Sequence, residues 1–168
     1  GVLGGFFTFG QDVIQRHQYI ITGLYGPKKG RTWYTLDYFY DGLYPTFHIE
    51  ASDTDVTYGD LLADSRGSRD YVERDVTQSV SMILPLIKTE TQHSLTIGYR
   101  RRDISHLTAL PPWPGYSGVV PAEGVLASGR LSYQFNNSHR YPLSISPEGG
   151  RTIEVGAERF DRSLGSDF

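Results

Sequence analysis

Cysteine is absent from these 168 residues. Disulfide staples, thiolate metal sites and a cysteine nucleophile are therefore all excluded. The absence names no compartment, although it suits a periplasm or outer surface where stray thiols oxidise. Charge of one sign is also missing: 16 Lys and Arg against 19 Asp and Glu leave a net charge of −3. Neither the basic surplus of a nucleic-acid binder nor a disordered acidic tail is present. No run of about 18 apolar residues occurs, which excludes transmembrane helices. There is no initiator Met, basic leader or signal peptide; the chain opens on GVLGGFFTFG and stops at RSLGSDF. It reads as an internal segment of a longer protein. Helical periodicity is lacking too, because no window repeats its apolar residues every 3.6 positions.

What is present is aromatic. Aromatics reach 13%, Tyr (12) outnumbers Phe (8), and there are 19 Gly. The stretch RTWYTLDYFYDGLYPTFHIEA, residues 31–51, sets the pattern. Tyr34, Leu36, Tyr38 and Tyr40 alternate with Thr35, Asp37 and Phe39; past Asp41-Gly42, Phe47, Ile49 and Ala51 alternate with Thr46, His48 and Glu50. Alternation at period two predicts strands, and turn chemistry punctuates them at Pro27–Gly30, Asp41-Gly42, Lys88–Gln92 and Glu148–Gly150. Eight strands are predicted, near 6–13, 17–26, 31–40, 44–52, 71–87, 93–104, 124–135 and 151–160. Connections near 53–70 and 105–123 are expected to be long loops.

Facing residues follow from parity. One face collects Tyr34, Leu36, Tyr38, Phe47, Ile49, Val80, Leu84, Leu95, Ile97, Leu131, Tyr133, Ile153 and Val155, with Gln78 out of character. The other collects Asp37, His48, Glu50, Asp75, Arg100, Arg130, Glu154 and Glu158 among many Ser and Thr. Such regularity predicts an antiparallel sheet with two different solvents on its faces. Alternation alone does not say which face is inside: a soluble ligand-binding barrel turns the apolar face inward, and an outer-membrane barrel turns it to lipid.

Three features favour lipid. Long and short connections fall on opposite ends of the strands, as external loops and periplasmic turns do. The connection near 136–150 is longer than that rule expects. Tyr25, Tyr38, Tyr40, Tyr44, Tyr99, Tyr133 and Phe135 lie near strand ends on the apolar face, where rings with one wet end suit the headgroup level. Most predicted strands approach the roughly 9–11 tilted residues that span a bilayer, whereas globular strands average about 5–6. With long loops outside, the first strand runs inward, and a barrel with a periplasmic N-terminus then needs a strand before Gly1. We expect a fragment of about eight strands from a larger transmembrane β-barrel, in which residues 1–168 belong to one domain.

Other candidate sites have plainer readings beside them. Asp53, Asp55 and Asp60 place carboxylates where Ca²⁺ binds some loops, but the EF-hand spacing is not met and a solvated acidic loop suffices. Arg100-Arg101-Arg102, with Arg69 and Arg74, suit lipopolysaccharide phosphates or a charge network with neighbouring acids. His48 beside Glu50 has the chemistry of an acid–base pair, yet no serine stands in a nucleophile context. HLTALPPWPGYSGVVPAEG reads equally as a recognition loop or a stiff surface loop. No cofactor, metal site or catalytic residue is expected.

The segments GGFFTFGQDVIQRHQYIITGLYG, YPTFHIEASDT and RYPLSISPEGGRTIEVGAERFDRSLGSDF resemble the barrel of the Omp85 superfamily. They are most similar to the bacterial surface antigen D15 type, of the kind that follows a TolB-like β-propeller in some Gram-negative proteins. The resemblance implies a sixteen-stranded outer-membrane barrel, with this chain covering roughly the second to ninth strands. It implies a membrane scaffold that assembles, inserts or translocates polypeptide. It also implies contacts with outer-membrane lipid and lipopolysaccharide, with periplasmic or surface protein partners and no nucleic acid. The family's Arg-Gly-(Phe/Tyr) element is not matched, since Arg66-Gly67 leads into Ser68. A passive diffusion channel needs only the polar bore and is the alternative.

Overall fold

Aromatic and β-branched residues at every second position make each strand a two-sided ribbon that is stable only beside a neighbour. The computed structural model describes residues 3–27, 30–64, 67–88, 90–110, 121–138 and 149–167. These form one eight-stranded antiparallel sheet in which every strand pairs with the next in sequence. The strands are β1 (Gly4–Gln11), β2 (His17–Gly26), β3 (Arg31–Tyr40), β4 (Thr46–Asp64), β5 (Gly67–Ile87), β6 (Gln92–His106), β7 (Gly124–Asn136) and β8 (Thr152–Phe160). β1 and β8 do not pair with each other, so the sheet is open. Among the described residues the one helical element is a 3₁₀ turn, Arg162–Leu164, after β8.

The connection expected as a loop over 53–70 is a ladder instead. β4 runs on to Asp64 and β5 starts at Gly67, with Asp55 opposite Arg74 and Tyr58 opposite Tyr71. Cross-strand charge and aromatic pairs of this kind support a ladder beyond its apolar part. The register shifts between Tyr58 and Leu62, where Asp60 takes φ 55°. An Asp tolerates that left-handed conformation better than most residues; its amide donates to Asp70 Oδ1 (3.2 Å) and its carboxylate accepts from the Ser68 hydroxyl. Of the stretch near 105–123, residues 105–106 finish β6, and the Pro-rich part at 111–120 lies outside the described residues. So does most of the connection at 136–150.

Very little of the sheet is buried. Among the described residues the fully buried apolar side chains are Leu62, Tyr71 and Ala127, all at one end. Leu62 and Tyr71 sit in the extended β4–β5 hairpin. The stem after β6 clips to that hairpin: Leu107 and Thr108 amides donate to the Val72 carbonyl (3.0 and 3.2 Å), and the Val72 amide donates to Thr108 Oγ1 (2.9 Å). Ala127 is covered by the turn after β8. Asp161 caps that turn by accepting from the Ser163 amide (2.9 Å), and Gly165 at φ 101° sends the chain back so that Asp167 accepts from the Val125 amide (2.6 Å). Elsewhere, among the described residues, neither face has a second layer. Rings cover glycines at two places on the β1–β2 ribbon: a Cβ on Gly23 would lie 2.3 Å from the Phe6 ring, and one on Gly10 would lie 2.6 Å from Tyr19. Such rings shield backbone that glycine would leave bare.

Because the chain has no cysteine, introduced thiols report its register directly. Leu84 opposes Leu95, while Thr96 opposes Ile83 on the other face. In folded protein a short bis-thiol reagent should join Leu84→Cys to Leu95→Cys and leave Leu84→Cys with Thr96→Cys unjoined. Equal cross-linking of both pairs would refute the register.

Candidate functional site

The pairing sorts the predicted side chains into two sets without exception. Tyr38, Ile49 and Val80 form one row; Phe47, Ile97 and Leu131 belong to the next; Leu84, Leu95, Tyr133 and Val155 form a third. Tyr34, Leu36 and Ile153 share this face. Asp37, Glu50 and Arg100 lie in a row on the opposite face, and His48, Arg130 and Glu158 lie in the next. Asp75 and Glu154 share that face as well.

The apolar set does not meet across a dry centre. Val155 is 62% exposed, Leu131 49% and Val80 46%, with nothing packed over them. Five of the polar set, His48, Glu50, Arg130, Glu154 and Glu158, instead line a trough of about 510 Å³. His48 and Glu50 on β4, Ser79 and Ser81 on β5, Arg130 and Ser132 on β7, and Glu154 and Glu158 on β8 all border it. One hollow touched by five successive strands requires the sheet to curl with its polar face inside. Gly98 and Gly156 leave its floor open.

The trough's charges are held by neighbours in register. His48 Nε2 lies 3.2 Å from Asp37 Oδ1, and its ring stacks on Phe39 with centroids 4.1 Å apart. Its partner is therefore Asp37 rather than Glu50, which accepts from Ser79 Oγ (3.1 Å). Glu158 accepts from the fully buried Ser128 (2.6 Å) and stands 3.8 Å from Arg130 Nε. Arg100 keeps a buried Nε with no hydrogen-bond partner. Asp75 is not in the trough. It lies further along β5, buried, where the Arg102 guanidinium donates to it (3.1 Å from Nε). The arrangement can set an electric field along the wall.

The arginine run divides by parity. Arg100 and Arg102 face the polar side, while Arg101 turns to the apolar side in a row with Gln78 and Ala127. Gln78 and Arg101 thus oppose each other on the greasy face, where Arg159 also stands, one row nearer the turn end. Beyond the row of Gln78 and Arg101 the apolar face ends at charge. Asp53, buried, accepts from Arg31 (3.0 Å) and Arg74 (3.0 Å from Nε), and Arg31 reaches Asp55 at 2.8 Å. Asp53 and Asp55 are strand residues locked by arginine rather than members of an acidic loop. The periodicity that placed them opposite Tyr34 and Arg74 was in the sequence; the expected loop obscured it.

One half of the polar face was missed. On β1–β3 it carries Phe7, Phe9, Ile20, Leu24 and Trp33, with Phe9 73% exposed and Phe7 and Phe9 rings 6.0 Å apart. Continuous apolar runs in GGFFTFG and YIITGLYG, in place of alternation, were the signal. The curled wall is therefore aromatic on its first strands and charged on its last five. No family model, no curated protein and no solved structure matches this chain.

The hairpin extension carries one strongly perturbed group. Tyr71 is 1% exposed and donates to Glu73 Oε2 (3.2 Å), and Tyr58 donates to Oε1 of the same carboxylate (3.1 Å). Burial first, then the bond to Glu73, pushes the Tyr71 phenol up to about 12. Its unfolded value is near 10, so the stabilisation is complete below about pH 10 and disappears as pH rises through 12. Titration of phenolate absorbance should show a late-ionising tyrosine that Tyr71→Phe removes. Loss of no late phase in that variant would mean the hairpin core is not formed as described.

Proposed function

We propose that this chain is a transmembrane stretch of an outer-membrane β-barrel of Omp85/D15 type, serving as a membrane scaffold for assembling, inserting or translocating polypeptide past a polar lumen. The observation that carries the reading is the bare apolar face. Soluble monomers rarely leave a contiguous apolar patch of more than a few hundred Å² in water. Here the patch runs across β2–β8 behind a curled polar wall, which is the inside-out arrangement of a membrane barrel. At one end the patch stops at the charged cluster of Asp53, Arg31 and Arg74. The short turns lie at the other end, which this reading places in the periplasm.

On this reading Asp37, Glu50, Arg100, Arg130, Glu154 and Glu158 shape the field of the lumen and do no bond chemistry. Arg101, at the loop end of the lipid-facing side, is the arginine of its run placed to meet lipopolysaccharide phosphate. The Omp85 assignment itself rests on the sequence phrases quoted above. The polar trough equally favours a second reading, a passive porin-like channel. Steady, large single-channel conductance supports that alternative, and a small, flickering conductance supports the scaffold.

The membrane reading is tested by charge placed on each face in turn. Ile97→Arg puts a cation at mid-band on the apolar face and should cost about 2–4 kcal/mol of folding stability in lipid vesicles. Thr96→Arg, one residue away and lining the trough, should leave insertion within experimental error. Folding titrations with brominated-lipid quenching of tryptophan read both. If the wild-type chain stays monodisperse in buffer and ignores vesicles, the apolar face does not meet lipid.

A further inference from the structure

The turn end of the apolar face carries the same side-chain arrangement twice. His17 opens β2 opposite Tyr40, their ring centroids 4.8 Å apart, and its Nδ1 lies 2.8 Å from the hydroxyl of Tyr38. His93, at the start of β6, stands opposite Phe135 at 5.1 Å, and its Nδ1 lies 2.7 Å from the hydroxyl of Tyr133. The sequence behind them repeats too: Leu36-x-Tyr38-x-Tyr40-Asp41 and Leu131-x-Tyr133-x-Phe135-Asn136. An aromatic belt needs rings of this kind but needs no imidazole bonded to a phenol. The bond fixes one ring nitrogen and so fixes where the other points.

We infer that these two His–Tyr pairs are receptors for the phosphodiester headgroups of anionic phospholipids at the turn-end surface of the membrane. The inference rests on the membrane reading above. With the phenol donating to Nδ1, the imidazole proton sits on Nε2 and is free to donate to a phosphate oxygen. Each pair has a cation close by in the chain. Arg16 immediately precedes His17, and Lys88 lies in the turn before β6; both are exposed, and neither forms an ion pair with a described residue. The acids near the first pair are occupied, since Asp12 accepts from the His17 amide (2.9 Å) and Asp41 from Thr46 Oγ1 (2.6 Å). Near the second pair Glu90 stands exposed in the same turn as Lys88. The first copy is accordingly the stronger.

The full chain is folded into vesicles of zwitterionic phosphatidylcholine containing trace spin-labelled phosphatidylglycerol or phosphatidylcholine, and the immobilised fraction of each probe is compared by electron spin resonance. Wild type should hold the anionic probe about fivefold more strongly, the ratio that roughly 1 kcal/mol per interfacial cation sets. The paired change His17→Phe and His93→Phe should reduce the preference toward unity while the rings and the fold are kept. Tyr38→Phe with Tyr133→Phe should weaken it, and His17→Gln, which retains a donor, should restore part of it. His17→Phe alone should cost more than His93→Phe alone. Insertion without any anionic preference, or a preference unmoved by the histidine changes, overturns this inference and leaves the membrane reading standing. Failure of the wild-type chain to insert removes both.

Discussion

Backbone pairing between neighbouring strands is the interaction on which everything else in this chain depends. Only three apolar side chains among the described residues are fully buried, so no core of the ordinary kind holds the sheet together. Seven antiparallel ladders do so instead. An unpaired amide in a low-dielectric surrounding costs several kcal/mol, which makes ladders more valuable in lipid than in water. The same pairing transmits the period-two alternation from strand to strand. Faces that are greasy or polar in one strand stay so in its neighbours because each register partner stands on the same side.

Charge marks where that arrangement stops. On the apolar face the row of Gln78 and Arg101 comes first, and the Asp53–Arg31–Arg74 cluster follows it. Past this limit β4 and β5 keep pairing, but their chemistry changes to that of a small water-facing domain: Leu62 and Tyr71 are buried, Glu73 collects two phenols, and Asp75 is held by Arg102. One hairpin thus carries two side-chain chemistries, with a register shift between Tyr58 and Leu62 in its outer part. The change of side chains, not of backbone, carries the boundary.

The polar face is uneven. On β4–β8 His48, Glu50 and Glu158 are held by neighbouring side chains. On β1–β3 the same wall presents Phe7, Phe9, Ile20 and Leu24 to open space.

The sequence by itself determined the strands and the division of their faces. β2 and β3 have the bounds that alternation predicted, and the thirteen apolar and eight polar residues singled out by parity fall on opposite sides. Side-chain direction in a strand is a local property, set by the pleat, so it needs no knowledge of the partner. Only the tertiary structure decided who meets whom. His48 went to Asp37 rather than Glu50, Asp53 and Asp55 to arginines from β3 and β5, and Arg101 away from its two neighbours. Those outcomes depend on register, which joins residues 11 or more positions apart and leaves no trace in any short window. The curl that turned a polar face into a trough arises the same way, from the accumulated twist and pairing of many strands and not from any one of them.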